Sequence, residues 1–599
     1  MKIKLSQYVA NFFAENGIEH IFTVTGGGAM HLNDSFGHHP KLKCIYNHHE
    51  QACAIAAEGY TRYSGKLSGI CVTSGPGGTN AITGVLGGWL DSIPMFIISG
   101  QVKRETTTWA TDIPLRQLGD QEFNITDCVR TMTKYAEMIT VPEDILYHLQ
   151  KALYLCINGR PGPVWLDIPL DVQAAVIESD GLREFDPEEL SDKPHPEYDT
   201  ALTELILKKI QAAERPVILA GTGIRLSDAH KEFIECINKL NIPVVTAWNA
   251  HDVLWDSHPL YCGRPGTVGT RGGNFVVQNC DLMLVIGCRM NIRMISYNYK
   301  DFAKNAYKIV VDIDANELKK PTISPDLPVH ADLKDVLYAL LKADYHYNPA
   351  QNVWTRWCRF VNQKYPATLP SYFKSDKLNP YVFIHELCKA MDTDDTVVCG
   401  NGSACVITFQ AAVIKNGQRY FTNSGCAAMG YGFPAAIGAC IQRAGKRTIC
   451  IDGDGSFQMN LQELQTVVYN KLNLKIFYIN NNGYHSIRQT QNNLFNPPLV
   501  GVCDGNGISF PDAEKLAYAY DINYVRIDSL NDIEAKIENV LNLDGPVFCE
   551  VIVDPEQNFE PKLSSKVLPD GRIVSPPIDD MYPFLQKEEY EKNKKMIMD

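Results

Sequence analysis

An aspartate and an asparagine, 27 positions apart, offer the clearest chemistry in this chain. Asp454 stands in Gly453-Asp454-Gly455-Ser456 at the end of one apolar run, and Asn481 opens Asn481-Asn482-Gly483 at the end of the next. That spacing fits one strand–helix–strand unit, so both side chains arrive at the same sheet edge. A carboxylate, an amide oxygen and a backbone carbonyl, with Gly483 as the candidate, are hard oxygen donors. Around Mg²⁺ they leave room for two phosphate oxygens and a water. Gly455 and Ser456, at a helix start, would offer backbone N–H groups to a phosphate. A Gly-Asp-Gly triplet is weak by itself, and two turns without a metal are the plain alternative; the strand placement favours the metal. A second carboxylate, Glu50, heads the stretch Ala52, Ile55, Ala56, Gly59, which follows the i, i+3, i+4, i+7 spacing of a buried helix face. A carboxylate there loses hydration and needs a partner or a task. A structural ion pair is the alternative to a catalytic one.

The elements that must hold these residues recur along the chain. Short apolar runs end in Gly-containing turns and are followed by helical periodicity: 21–28, 69–78 and 95–101, then 216–223, 242–248, 282–289 and 308–314, then 396–402, 448–455, 475–483 and 546–554. Apolar, non-alternating strands predict parallel sheets covered on both faces, with ligands beyond the C-terminal strand ends. The fold class expected is α/β, with three doubly wound parallel-sheet domains at 1–177, 195–345 and 370–560 and a tail at 561–599. Polar, Pro-containing linkers are expected over 178–199 and from 343–357 onward. The tail should pack over a surface and fray at its last residues. A length of 599 residues requires several cores.

Composition excludes some partners. A net charge of −13 gives no electrostatic reason to bind nucleic acid. The first 17 residues form an amphipathic pattern rather than a signal peptide, and no segment resembles a membrane span. The 18 cysteines include no C-x-x-C pair, and those inside apolar runs (Cys71, Cys288, Cys399, Cys450) suit small buried side chains. A reduced, cytoplasmic protein is the expectation.

The segment Gly453–Tyr484 resembles the thiamine diphosphate motif, GDG followed by about 24–27 residues and NN. "TGGGAM" (25–30), "HHEQACAIAAEGYTR" (48–62), "TSGPGGTN" (73–80), "DSIPMFIISGQV" (91–102) and "NSGCAAMGYGFPAAIG" (423–438) resemble, in order, landmarks of the acetohydroxyacid (acetolactate) synthases and their relatives. The resemblance implies a pyrimidine-binding, a central and a diphosphate-binding domain, with thiamine diphosphate and Mg²⁺ across a subunit interface of a homodimer or homotetramer. It implies that Glu50 of one chain bonds the aminopyrimidine of a cofactor whose metal is held by Asp454, Asn481 and Gly483 of another. Met429 would wedge the cofactor bent, and Ala427 would offer its carbonyl to the imino nitrogen. Asn401, Gly402 and Ser403 would contact the diphosphate, as would Gly453 and the residues that follow it. Pro76, Asn80, Tyr484, His485 and Ile487 complete the expected cofactor contacts. Gly27 and Gly28 would leave room for substrate near the reactive centre, and Gln121 would approach substrate and flavin. Many relatives bind FAD centrally; candidate contacts here are Gly221, Gly223, Arg264, Pro265, Gly266, Thr267, Arg289, Asp314 and Asp332, with ADP or an empty site as the other options.

The implied reaction is decarboxylation of a 2-oxo acid, first of all pyruvate, with transfer of the two-carbon unit to a carbonyl acceptor. Simple decarboxylation, pyruvate oxidation and a non-catalytic scaffold are the rivals. Three departures bear on the acceptor. Arg293 keeps the expected carboxylate-binding position, but Ile292 replaces the aspartate that would orient it. Thr490 stands where the family has a tryptophan that favours 2-oxobutyrate. Residues 103–118 form a longer loop than usual. The tail is similar to that of relatives encoded among bacterial surface-polysaccharide genes. Together these point to a bulkier acceptor, with a keto-sugar nucleotide as one candidate.

Overall fold

The computed structural model describes residues 1–191, 195–495, 498–567 and 570–598. Three parallel sheets with helices around them make up the chain. The N-terminal sheet runs Lys43–Tyr46, His20–Thr23, Gly69–Val72, Met95–Gln101, Pro163–Pro169, Tyr135–Met138. The C-terminal sheet runs Arg419–Phe421, Thr396–Cys399, Thr448–Gly453, Leu474–Asn480, Val547–Ile552, Asn523–Ile527. Counted in chain order, both follow the sequence 2-1-3-4-6-5. The central sheet runs Val244–Thr246, Pro216–Ala220, Leu282–Ile286, Tyr307–Asp312, Leu327–His330. The strand order reverses between Pro216–Ala220 and its parallel neighbour Leu282–Ile286, which opens a crevice at their C-terminal ends.

Helix Glu50–Ser64 joins the two outer units. It forms because Ala52, Ile55, Ala56 and Gly59 put one small-residue face inward, and His49 caps its start by accepting from the Gln51 N–H at 3.1 Å. That face lies on helix Gly432–Gln442. A Cβ on Gly59 would collide with the Ala435 carbonyl oxygen, and one on Gly438 with that of Ala56. Only glycine lets the backbones approach this closely. One apolar cluster therefore runs through both units, from Phe22 and Ile55 to Phe433 and Phe457.

Three expectations need correction. Residues 352–357 are not linker: helix Asn352–Lys364 buries Trp354 and Trp357 in the central core, and the Trp354 indole N–H donates to the Pro216 carbonyl at 2.8 Å. Its apolar face, spaced as a helix among polar neighbours, belongs to the central unit. The tail packs, as expected, but into a core rather than only over a surface. Ile578 enters the central core, and helix Lys587–Lys594 docks with its Tyr590 ring 5.8 Å from Phe275. Asp599 lies outside the described residues. The first residues include a strand, Lys2–Lys4, paired antiparallel with Val176–Glu178. Among the described residues no helix is long and apolar enough to cross a membrane.

Candidate functional site

Two groups of candidate residues sit at the C-terminal ends of the outer sheets. In the C-terminal unit, Asp454 starts the helix after strand Thr448–Gly453 and is 2% exposed. Its Oδ1 accepts from the Gly455 N–H at 2.7 Å and its Oδ2 from the Gly483 N–H at 2.8 Å. Burial pushes its carboxyl up to about 6 against those N–H groups. Asn481, 4% exposed, donates through Nδ2 to Ser403 Oγ at 2.9 Å. Its Oδ1 is buried and has no partner. A buried amide oxygen without a donor is costly; the Asn481 backbone N–H also meets the Asp454 carboxylate, and a carboxylate and an amide oxygen on adjacent strand ends suit a hard divalent cation. The residues present therefore fit Mg²⁺. Gly483 has φ 119°, and a Cβ there would strike the Val502 carbonyl.

The other candidate residues of the C-terminal unit lie around it. Helix Gly402–Ala411 begins after Asn401, whose side chain does not cap it, a setting for a phosphate. Ser456 Oγ accepts from the Gly430 N–H at 2.9 Å. A Cβ on Gly453 would meet nothing, whereas one on Gly455 would collide with the Tyr484 ring, so Gly455 is required by packing. The Ala427 carbonyl already accepts from Asn401 Nδ2 at 2.9 Å; its second lone pair remains for another donor. Met429 is half-buried. Burial lowers His485 to about 4, so it is neutral at ordinary pH. Ile487 and Thr490 share the exposed side of helix His485–Leu494.

In the N-terminal unit, Glu50 Oε2 accepts from Asn80 Nδ2 at 3.0 Å, and Glu50 is half-buried. Pro76 starts the helix that carries Asn80. The Gly75 backbone, at φ 58°, lies against the Gln121 carbonyl, which brings Gln121 to the same edge. Gly27 has open space where a Cβ would stand. Gly28 does not: a Cβ there would be 2.6 Å from Ser74 Oγ, so close packing requires this glycine. The loop 103–118 is folded onto Glu122, a residue the sequence did not single out. Its carboxylate accepts from the Thr108 N–H at 2.6 Å, Thr108 Oγ1 at 2.8 Å and the Leu118 N–H at 2.7 Å.

A cavity of about 300 Å³ opens at the central crevice, where Gly221, Gly223, Arg289 and Asp332 line it. The other proposed flavin contacts do not. Asp314 pairs with Arg160 at 2.9 Å; Gly266 and Thr267 pack on the Arg293–Met294 backbone; Arg264 is buried against Asp256 at 2.7 Å. Each has a structural partner that the local sequence does not reveal. Arg293 stacks on Trp248, which lines the cavity, with its guanidinium 4.7 Å from the ring centre. Asp91, Arg160 and Ser424 also reach the cavity, from the outer units. No local motif marks them, because three separate domains supply the walls.

Comparison with known proteins gives consistent matches. Residues 3–126 match the thiamine pyrophosphate enzyme N-terminal TPP binding domain, 203–340 the central domain, and 400–551 the C-terminal TPP binding domain. The chain is 32% identical to the acetolactate synthase large subunit of Cyanidium caldarium, over 92% of this chain and 94% of that one. It is 31% identical to the Lactococcus lactis large subunit, over 96% and 97%. It is 29% identical to the isozyme 1 large subunit of Escherichia coli, over 93% and 95%.

Proposed function

Because the chain belongs to the thiamine pyrophosphate enzymes, in their acetolactate synthase family, we propose that it is a thiamine diphosphate- and Mg²⁺-dependent carboligase. It decarboxylates pyruvate and passes the two-carbon unit to a carbonyl acceptor. The observation that carries the Mg²⁺ assignment is the unpartnered, buried Oδ1 of Asn481, a residue whose backbone N–H meets the Asp454 carboxylate. When bound, the cofactor supplies the electron sink that lets carbon dioxide leave. The chain's own residues do the rest. Asp454 and Asn481 hold the cation. Asn401, Gly402 and Ser403 present a helix start to phosphate. Met429 and the Ala427 carbonyl orient the cofactor. Glu50, held by Asn80, keeps and shares a proton at the aminopyrimidine. Glu50 and the metal ligands belong to different half-sites, and we assign the complete site to a homodimer at minimum, each chain giving one half.

Thr490 on an exposed helix face favours an acceptor larger than 2-oxobutyrate. The central cavity suits a nucleotide, FAD first and ADP second, because its glycine turns lie at the reversal point of a parallel sheet. The absorption spectrum of the purified protein distinguishes them. Thiol-rich composition without disulfides suits a reducing, cytoplasmic setting. The central experiment is incubation with thiamine diphosphate, Mg²⁺, pyruvate and pooled carbonyl acceptors, with products weighed by mass spectrometry. A two-carbon adduct is expected. Free acetaldehyde or peroxide as sole product would replace carboligation with decarboxylation or oxidation.

A further inference from the structure

The loop that carries Ala427 and Met429 is tied to a buried charged cluster of the other outer unit. Asp91, the last residue of helix Pro76–Asp91, accepts from the Ser424 N–H through Oδ2 at 3.0 Å and from the Gly425 N–H through Oδ1 at 2.9 Å. Glu58 Oε1 accepts from Asn423 Nδ2 at 3.2 Å, and its Oε2 accepts from the Tyr431 hydroxyl at 2.7 Å. Arg62 lies between the two carboxylates, with Nε 3.0 Å from Glu58 Oε1 and Nη2 2.8 Å from Asp91 Oδ2. Asn423 Oδ1 in turn accepts from the Cys426 N–H at 3.1 Å and the Ala427 N–H at 3.3 Å. The cluster thus grips both ends of the loop. Ala427 itself sits at φ 53°, which an alanine adopts only when its surroundings hold it there.

This arrangement is expensive for packing alone. Asp91 faces the negative end of its own helix dipole, and Glu58 and Asp91 share the buried Arg62 guanidinium, with the half-buried Arg289 guanidinium 3.8 Å from Asp91 as its only other cation among the described residues. What the charges achieve is a fixed backbone path. Two carboxylate oxygens aimed at two consecutive N–H groups define the loop's height more narrowly than apolar contacts do.

We propose that Asp91, with Glu58 and Arg62, is a positioning group that sets where Ala427 and Met429 meet the thiamine cofactor. The proposal rests on reading those two residues as cofactor contacts. It links the cofactor site to the N-terminal unit of the same chain, in addition to the half-site given by a partner.

Asp91→Asn is nearly isosteric but turns an amide N–H₂ toward one of the N–H groups it now accepts from. The expected result is a rise of about tenfold in the dissociation constant for thiamine diphosphate at saturating Mg²⁺, measured by calorimetry. Exchange of the bound cofactor's thiazolium proton should slow by about tenfold, while KM for pyruvate stays within about twofold. Asp252→Asn is the control. It breaks a buried pair, Arg419 Nε to Asp252 Oδ2 at 2.5 Å, at the same domain junction, and should lower the unfolding midpoint without altering affinity or exchange. Equal slowing in Asp252→Asn overturns the proposal, since general loosening then explains it. Met429→Ala separates the two layers. If it leaves affinity and exchange unchanged, the cofactor reading of the loop fails and takes the proposal with it. If it alters both and Asp91→Asn alters neither, only the proposal fails. Should Asp91→Asn not fold, Glu58→Gln frees Asn423 and Tyr431 from the same cluster, and unchanged values there overturn the proposal.

Discussion

The two outer sheets share one strand order, yet their loops were given opposite environments. In the C-terminal unit the carboxylate is sunk to 2% exposure, two backbone N–H groups aim at it, and the neighbouring amide oxygen is left unpaired. In the N-terminal unit the carboxylate heads a helix, stays half-buried, and has one neutral partner. A shared topology places a ligand-facing edge; it does not decide what that edge does. The proposed function assigns the buried carboxylate to a cation and the half-buried one to a proton.

Glu50→Gln tests that division most severely. The amide can still accept from Asn80 but cannot pass a proton. Turnover of pyruvate should fall by about 10²–10⁴-fold with thiamine diphosphate affinity within a few-fold. Unchanged turnover would remove Glu50 from the chemistry and break the comparison on its N-terminal side.

Asn481→Ala addresses the other side. Removing the unpaired oxygen should weaken Mg²⁺-dependent cofactor binding by about 10–100-fold, read by calorimetry across a Mg²⁺ titration. An unaffected Mg²⁺ requirement would leave Asn481 Oδ1 without an explanation. The pH dependence sharpens this further. Burial raises Asp454 to about 6, so a cation must displace its proton below that pH. Apparent Mg²⁺ affinity should be flat above about pH 7 and fall by about tenfold per unit below pH 6. A flat profile down to pH 5 excludes Asp454 from the ligand set.

The smallest effect separates two neighbouring glycines. Gly28→Ala places a Cβ 2.6 Å from Ser74 Oγ and should lower stability by about 1–3 kcal/mol. Gly27→Ala meets open space and should stay within about 0.5 kcal/mol, while narrowing the room above the N-terminal edge. Thermal unfolding of both variants checks this. Equal losses would show that Gly27 is also held by packing.

How much was legible follows from where each residue lies. Central strands such as Leu282–Ile286 and Val547–Ile552 are buried on both faces and read as apolar runs. Edge strands such as Lys43–Tyr46, Leu327–His330 and Asn523–Ile527 expose one face and lose that signal. Strand Pro163–Pro169 is buried throughout but was hidden by its prolines and by Asp167. Burial pushes that carboxyl up to about 7, and Ser99 and Gln101 satisfy it from a neighbouring strand. Asp454 and Asn481 were legible because one strand–helix–strand unit carries both. The flavin candidates were legible only where a glycine turn ends a strand; Asp314 and Arg264 were claimed by partners from other segments.

The sequence by itself determined the three parallel-sheet units, the metal-type donor pair and the helix headed by Glu50. Each depends on spacing over a few dozen residues, which the chain states directly. Only the tertiary structure decided that the Asn481 oxygen lacks a donor, that Gly28 is required by close packing on Ser74, and that Asp91 holds a loop more than 300 residues away. Burial and the choice of hydrogen-bond partner are properties of surfaces brought together by folding, and no local pattern of residue types specifies them.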